Sequence, residues 1–279
     1  MSTEATIPTA APEFARSAGA SGVTLPRLIR SEWTKLWSLR STRWTLFVAC
    51  LAMAGLGPLI AVITMARWNH LPLGQRLTLD PIERSLGGYH IAQLAIGVLG
   101  VLVISGEYST GMIGSSLMAA PKRLPVLWAK LLVFTTVAFV LMVVTAFIGY
   151  LASQAIFTQH HVNVPLSQAP AFRVLIGTVL YMSVTGIICV SLGTMIRSTA
   201  GGISAYVAIM FVLPGLAEIL PASMGNAINP YLPSNAGGAV TNVLRQAHTF
   251  SAWGGFALFC GYAVVAVVAA AYLLRKRDA

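Results

Sequence analysis

The sequence predicts an all-α integral membrane protein, with six transmembrane helices preceded by an interfacial amphipathic helix. Of its 279 residues, 56% are hydrophobic and only 9% are charged, whereas a soluble domain carries about 25% charged residues. The mean hydropathy is +0.76. The apolar residues form six runs, each near the roughly 20 residues that a helix needs to cross the hydrocarbon of a bilayer. A separate amphipathic stretch precedes the first run.

The first 43 residues divide into two parts. Residues 1–23 are rich in Ala, Ser, Thr and Pro, a composition that predicts a disordered cytoplasmic tail. Residues 24–43 predict an amphipathic helix along the inner membrane surface, because at 100° per residue the apolar side chains share one side. These side chains are Leu25, Leu28, Ile29, Trp33, Leu36, Trp37 and Leu39.

Three charges in this helix, Glu32, Arg40 and Arg43, point toward its apolar side. They could snorkel into the lipid headgroups, or they could face another protein element and pair with charges there. The nearest candidates on the same side of the membrane are Glu107 and the Lys122–Arg123 pair.

Residues 44–279 contain six segments that are long and apolar enough to span a membrane. In the fifth of them, Pro214 and Glu218 interrupt the outer end. The six segments are Trp44–Ala66, Tyr89–Gly106, Leu131–Ser153, Val174–Ile196, Ser198–Ala217 and Trp253–Leu274.

Lysine and arginine residues are distributed unequally between the two sides of the membrane. Thirteen of the 18 lie on the side of the chain termini, including all four lysines. Because basic residues accumulate in cytoplasmic loops, both termini are predicted to be cytoplasmic. The protein itself is predicted to lie in the plasma membrane. The same bias accounts for the formal net charge of +10 without a nucleic-acid partner.

The connection after the second span, residues 107–121, predicts a short helix. Ser109 or Thr110 can cap it and Pro121 ends it, which places Ile113 and Leu117 on one face. So short a helix is marginal alone, and we expect it to dock on a partner. A loop lying on the membrane surface is the alternative. Further residues of the segment are Gly111, Met112, Gly114 and Met118.

Glu107 ends the second span at the inner interface, where an unpaired acid is unfavourable. We therefore expect a basic partner, with Arg40, Arg43 and Lys130 as candidates, and we expect Glu32 to meet Lys122 or Arg123. A solvated acid at a helix end is the alternative.

Two further groups of residues are candidates for a substrate path. Thr178, Tyr181 and Thr185 form a weakly polar stripe on the fourth span, although packing between helices explains such a stripe equally well. Residues 218–252 predict an outer cap over the mouth of the bundle, and together with the preceding Pro214 and with Glu218 it could form a gate. A helix resting on the bilayer surface is the alternative.

Several kinds of chemistry lack their motifs. No GxxxxGK[ST] phosphate loop, HExxH or GxSxG occurs, so we expect no catalytic residue, metal or cofactor in this chain. The spans offer only Glu218 as an ionisable group, which disfavours proton-driven transport.

The order of these features resembles the permease subunits of ABC-2 type ABC transporters. The resemblance rests on SEWTKLWSLRSTRW before the first span, GEYSTGMIGSSLMAAPKR after the second and YLPSNAGGAV before the last. It departs from the family at Met112, where a hydroxyl residue is usual.

The resemblance implies the fold of a type V exporter and a function as the permease of an ATP-driven exporter. The exported substrate would be a drug, antibiotic, peptide or lipid-like molecule. A separate ATPase subunit, holding ATP and magnesium, would dock on the segment after the second span, and a second copy or a similar permease would complete the transporter. A secondary transporter without an ATPase, or a membrane anchor or sensor subunit that transports nothing, are the alternatives.

Overall fold

Six helices are long and apolar enough to cross a membrane, as the sequence predicts. The structure is a computed structural model that describes residues 24–111, 123–245 and 248–276. The predicted tail, residues 1–23, lies outside the described residues. By length and composition, the six spans are Arg40–Ala66, Tyr89–Ser109, Leu124–His160, Ala169–Ile196, Thr199–Glu218 and Ala252–Lys276. The chain is therefore a multi-pass membrane protein.

The described residues form α-helices joined by short turns. Spans one to four are helices α2, α5, α6 and α7, span five is built from α8, a π-helical segment and α9, and span six is α12. The bounds are α1 Leu25–Ser38, α2 Arg40–Ala66, α3 Leu73–Leu77, α4 Pro81–Ser85, α5 Tyr89–Ser109, α6 Arg123–Phe157, α7 Ala169–Ile196, α8 Thr199–Val207, π Ala208–Val212, α9 Leu213–Glu218, α10 Ala222–Ile228, α11 Pro233–Gly238 and α12 Ala252–Lys276.

The predicted amphipathic helix over residues 24–43 is two elements. Leu39 has an extended backbone, with φ −80° and ψ 122°, so α1 ends at Ser38 and a second helix begins at Arg40. In α1, Glu32 and Leu36 are buried while Trp33 and Trp37 are exposed. The buried side of α1 packs mainly on the start of α6. The indole rings of Trp33 and Trp37 lie on the outer surface of the bundle.

Span four is the most enclosed of the spans, and α5 and α6 pack closely against it. The fifth span crosses α5 at Gly97, where the Tyr206 ring occupies the space of a side chain. A Cβ added at Gly97 would lie 2.1 Å from Cζ of Tyr206. The missing side chain is therefore what allows spans two and five to approach this closely.

The fifth span widens into a π-helix at Ala208–Val212 before Pro214. Proline has no amide hydrogen to give to the carbonyl one turn earlier, and its ring collides with that carbonyl. A single π turn relieves both problems. Pro214 therefore distorts the span without ending it, and the helix continues to Glu218.

Candidate functional site

Four ionisable side chains meet at the end of the bundle that carries α1, called here the α1 end. Glu32 and Lys35 come from α1, Glu107 from the last turn of α5, and Lys130 from the first turns of α6. The Lys130 ammonium donates to Glu32 Oε2 at 2.6 Å and to Glu107 Oε1 at 2.7 Å. The Lys35 ammonium donates to Glu32 Oε1 at 2.8 Å and to Glu107 Oε1 at 2.9 Å. These four residues are called the inner ion-pair cluster.

The cluster is largely shielded from solvent. The Lys130 side chain is 1% exposed, and those of Glu32 and Glu107 are 5% and 10% exposed. A charge removed from water is tolerated only when it is paired and hydrogen-bonded. Two acids and two bases balance here, and Lys130 also lies 3.4 Å from the carbonyl oxygen of Val103.

Lys35 is the most exposed member of the cluster. Partial burial lowers its pKa, but hydrogen bonds and Coulomb attraction from Glu32 and Glu107 outweigh the burial and hold the pKa above its ordinary value. The raised pKa means that Lys35 contributes stability fully below its unfolded pKa, and that this contribution disappears as the pH rises through the folded pKa.

The cluster contains one partner that the sequence predicts and one that it does not. Lys130, a candidate for Glu107, pairs with it at 2.7 Å, whereas Lys35 takes the place expected of Arg40 or Arg43. Arg40 and Arg43 are exposed, and neither forms an ion pair with any residue that the structure describes. The extended Leu39 is the physical reason, because α2 starts anew after it and buries Thr42 instead. Lys122 lies outside the described residues and only the backbone of Arg123 is described, while Glu32 pairs with Lys35 and Lys130.

One signal in the sequence could have identified a member of the cluster. Glu32 and Lys35 are three residues apart, the spacing of neighbours on a helix surface. Lys130 gives no comparable local signal, because it meets Glu107 and Glu32 only after three helices have packed.

The end of α5 also contacts the connection between spans four and five. Thr199 donates to the hydroxyl of Ser105 at 3.0 Å, and the guanidinium of Arg197 lies 5.1 Å from the centre of the Tyr108 ring. The last two turns of α5 therefore touch α1, α6 and the start of the fifth span.

The predicted coupling segment is described only at its start. Thr110 donates to the Gly106 carbonyl at 2.9 Å, and Ser109 does the same, so both hydroxyls bond to the last turn of α5. Gly111 has φ +72°, the left-handed conformation that commonly follows a helix end. The remaining predicted coupling residues lie outside the described residues: Met112, Ile113, Gly114, Leu117 and Met118.

A large cavity of about 640 Å³ opens at the opposite end of the bundle, called here the far end. The predicted gate residues Pro214 and Glu218 line it, and so does Tyr181 from the predicted path. The cap contributes four asparagine side chains and two histidines join the lining, none of which the sequence analysis singled out. These six are Asn226, Asn229, Asn235, Asn242, His90 and His248.

The floor of the cavity is a short chain of hydrogen bonds between spans two, four and five. Gln93 Nε2 donates to the Tyr181 hydroxyl at 2.9 Å. The Tyr206 hydroxyl donates to the Gln93 carbonyl at 2.8 Å. Gln93 and Tyr181 are each 2% exposed, so polar groups line the cavity at a depth where an unpaired one is unfavourable.

The other two members of the predicted path do not line the cavity. Thr178 donates to the Val174 carbonyl at 2.8 Å, and Thr185 donates to the Tyr181 carbonyl at 2.9 Å. Both side chains are fully buried. Their hydroxyls bond to carbonyls of their own helix, so these two residues pack between helices and do not form a substrate path.

Arg173 fastens the cap to the outer end of span four. Its Nη2 lies 3.0 Å from the carbonyl oxygens of Asn242 and Val243, and its Nη1 lies 3.5 Å from that of Val240. These carbonyls follow α11, and Asn242 lines the cavity, so Arg173 holds part of one wall in place.

We expect Arg173→Ala to loosen the cap without unfolding the spans. Hydrogen bonds to a charged group contribute about 1.5–3 kcal/mol, and the variant leaves three carbonyls without this donor. Hydrogen–deuterium exchange of the purified protein should rise in residues 233–245 and stay unchanged in residues 131–153. Arg245→Ala is the matched control, because Arg245 bonds within its own loop, to Thr249. Equal exchange in both variants would contradict the clamp.

Comparisons with known proteins do not assign the chain to a family: no family model matches it, and no curated protein matches it significantly. Among the described residues, no group of three or more His, Cys, Asp or Glu side chains is placed to hold a metal ion. The inner ion-pair cluster and the far-end cavity are therefore the two candidate functional features of the described residues.

Proposed function

We propose that this chain is the permease subunit of an ATP-driven exporter of the ABC-2 type. It would lie in the plasma membrane with both termini cytoplasmic, so that the α1 end faces the cytoplasm and the far end faces outward. A separate ATPase would dock on the segment after the second span, and a second permease copy or a similar permease would complete the transporter. Besides the order of elements, one structural observation carries this proposal: the inner ion-pair cluster.

The cluster lies at the base of the proposed docking segment. Glu107 ends the helix that enters the segment, and Lys130 lies in the first turns of the helix that leaves it. Their contact at 2.7 Å joins the two ends, and Glu32 ties both to α1. A displacement of the segment by a partner would therefore reach two spans and α1 together.

The far-end cavity supports transport over a role as a passive anchor. A polar cavity that reaches a buried glutamine and tyrosine is an unusual feature in a bundle that only holds a partner at the membrane, because polar groups at membrane depth are unfavourable. It provides a space through which a substrate would leave. The exported substrate would be a drug, an antibiotic, a peptide or a lipid-like molecule.

Replacing Ile113 and Leu117 with Asp is the test of docking. The tagged chain is purified from its native membranes, and P-loop ATPases in the eluate are quantified by mass spectrometry. The double variant should lose at least tenfold of the bound ATPase, because two carboxylates would be placed in an apolar contact. Its own yield should not change, since neither residue lies in a span.

Leu73→Asp with Leu77→Asp is the matched control, because both side chains are about three-quarters exposed, at 70% and 77%, on a short helix of the far end. An unchanged ATPase yield in the Ile113 and Leu117 variant excludes docking at this segment. If ATP-dependent uptake into inverted vesicles is absent while the ATPase stays bound, the chain is an anchor. Uptake without any ATPase identifies a secondary transporter.

A further inference from the structure

We propose that the far-end cavity is a binding site, within a single copy of the chain, for a protonated amine that carries hydroxyl or amide groups. The claim that this molecule is transported rests on the proposed function. The claim that it binds in the cavity does not. The proposal combines the charge of the rim, the polar groups of the floor and the character of the walls.

The rim attracts cations. Glu218 is the one acidic side chain among the described lining residues, and no lysine or arginine lies among them. Glu218 is exposed and forms no ion pair with the residues that the structure describes. A carboxylate at the mouth of a cleft with low-dielectric walls raises the local concentration of cations and lowers that of anions.

The floor supplies one hydrogen-bond acceptor and one donor. Because Gln93 uses Nε2 on Tyr181, its Oε1 is left as an acceptor. Because the Tyr181 oxygen accepts that bond, its own hydrogen remains available as a donor. Neither group has a further hydrogen-bond partner among the described residues, although both side chains are 98% removed from solvent. A buried polar pair of this kind favours a ligand hydroxyl or amide, which can donate and accept at once.

The walls fit a polar molecule of moderate size. A volume of about 640 Å³ lies within the roughly 300–1,000 Å³ of small-molecule sites. The asparagines of the lining carry both donors and acceptors, of which Asn235 Nδ2 already donates to Asn229. Tyr89 and Phe211 add aromatic rings to the walls. Long acyl chains would find few apolar surfaces here, so a lipid tail is disfavoured.

Binding of two matched probes tests the charge preference. The purified chain in detergent, without any ATPase, is titrated at about pH 6, where the amines of glucosamine are protonated, with the β-1,4-linked disaccharide of glucosamine and with its N-acetylated form. The two sugars share rings and hydroxyls and differ in the charge of the amines. Isothermal calorimetry should give an affinity about fivefold higher for the amine, the factor expected of one charge pair near 4 Å in water.

Three variants assign the binding to this cavity. Glu218→Gln should remove the preference and keep the binding of the N-acetylated sugar. Tyr181→Phe should weaken both sugars by a similar factor of about five, because it removes the hydroxyl from the floor. Gly215→Trp should abolish both, since the space beside Gly215 is open and a ring there would obstruct the cavity. Gly261→Trp, in equally open space on span six, is the control that should bind normally.

Each result supports or overturns the proposal. Equal affinities for the two sugars, tighter binding of the N-acetylated form, no binding of either probe at millimolar concentrations, or binding that survives Gly215→Trp would overturn it. Loss of folded protein in Tyr181→Phe leaves the decision to Glu218→Gln and Gly215→Trp, which alter exposed positions. Confirmed binding without ATP-driven uptake would reject the proposed function and keep the binding site. ATP-driven uptake of some other molecule, without binding in this cavity, would reject the binding site and keep the proposed function.

Discussion

A Lys130→Ala variant is expected to lose most of its folded yield. The substitution would leave the carboxylates of Glu32 and Glu107 buried with only the partly exposed Lys35 between them. Removing one partner of a buried ion pair costs about 3–5 kcal/mol, because an uncompensated charge remains. That loss is a large fraction of the whole stability of many domains, about 5–15 kcal/mol. Yield and thermal unfolding of the detergent-solubilised protein, followed by size-exclusion fluorescence, measure the effect.

Two further variants separate the loss of charge balance from the loss of a side chain. Glu107→Gln combined with Lys130→Met removes one acid and one base and keeps the Glu32–Lys35 pair, whose atoms lie 2.8 Å apart. It should recover much of the stability lost in Lys130→Ala. Arg43→Ala removes a positive charge from an exposed position and should stay within about 0.5 kcal/mol of the parent protein. A double variant as unstable as Lys130→Ala would refute the cluster.

Gly97→Val is expected to give the second large loss. The added Cβ would lie 2.1 Å from the Tyr206 ring, so spans two and five must move apart or the ring must leave its place. Adding atoms to a packed core costs about 1–3 kcal/mol and sometimes more. The shift would also break the hydrogen bond from Tyr206 to the Gln93 carbonyl. The affinity of the cavity for the two sugar probes should therefore fall together with the melting temperature.

Gly261→Val is the matched control for this substitution. Gly261 lies in span six with nothing near an added Cβ, so the same change of side chain should alter the melting temperature little. Similar losses in the two variants would show that helix propensity, and not the contact with Tyr206, is responsible.

Hydropathy predicted all six spans because burial in lipid requires long apolar runs, but it underestimated their lengths. The third span was expected at Leu131–Ser153 and extends over Leu124–His160. A helix continues as long as its backbone hydrogen bonds can form, whereas hydropathy ends with the last apolar side chains. Polar turns at the ends of a span are therefore invisible to it.

The sequence predicted that the two acids of the inner ion-pair cluster need basic partners, but it did not predict the full set of partners. Glu32 and Glu107 were expected to require bases because charges near a membrane interior are unfavourable alone. Lys130 was among the candidates for Glu107 and does pair with it. The choice of Lys35 over Arg40 and Arg43 depends on the orientation of α1 relative to α2. The extended conformation of Leu39 sets that orientation, and no pattern in the sequence predicts this conformation.

The cavity illustrates a second limit, in the three residues of the predicted path. Threonine hydroxyls are close enough to the backbone to bond the carbonyl four residues earlier, as Thr178 and Thr185 do. The hydroxyl of Tyr181 is too far from its own backbone and must find a partner elsewhere, so it reaches Gln93. A stripe at helical spacing does not distinguish these cases, but side-chain length does.

The position of Lys130 in the inner ion-pair cluster has a consequence for the biogenesis of the protein. An unpaired lysine is among the least favourable residues for the insertion of a nascent helix into the bilayer. Both carboxylates that receive its ammonium, Glu32 and Glu107, precede it in the chain and are synthesised first. The translation order therefore provides the counter-charges before the lysine leaves the ribosome, and the third helix can be neutralised as it enters the membrane.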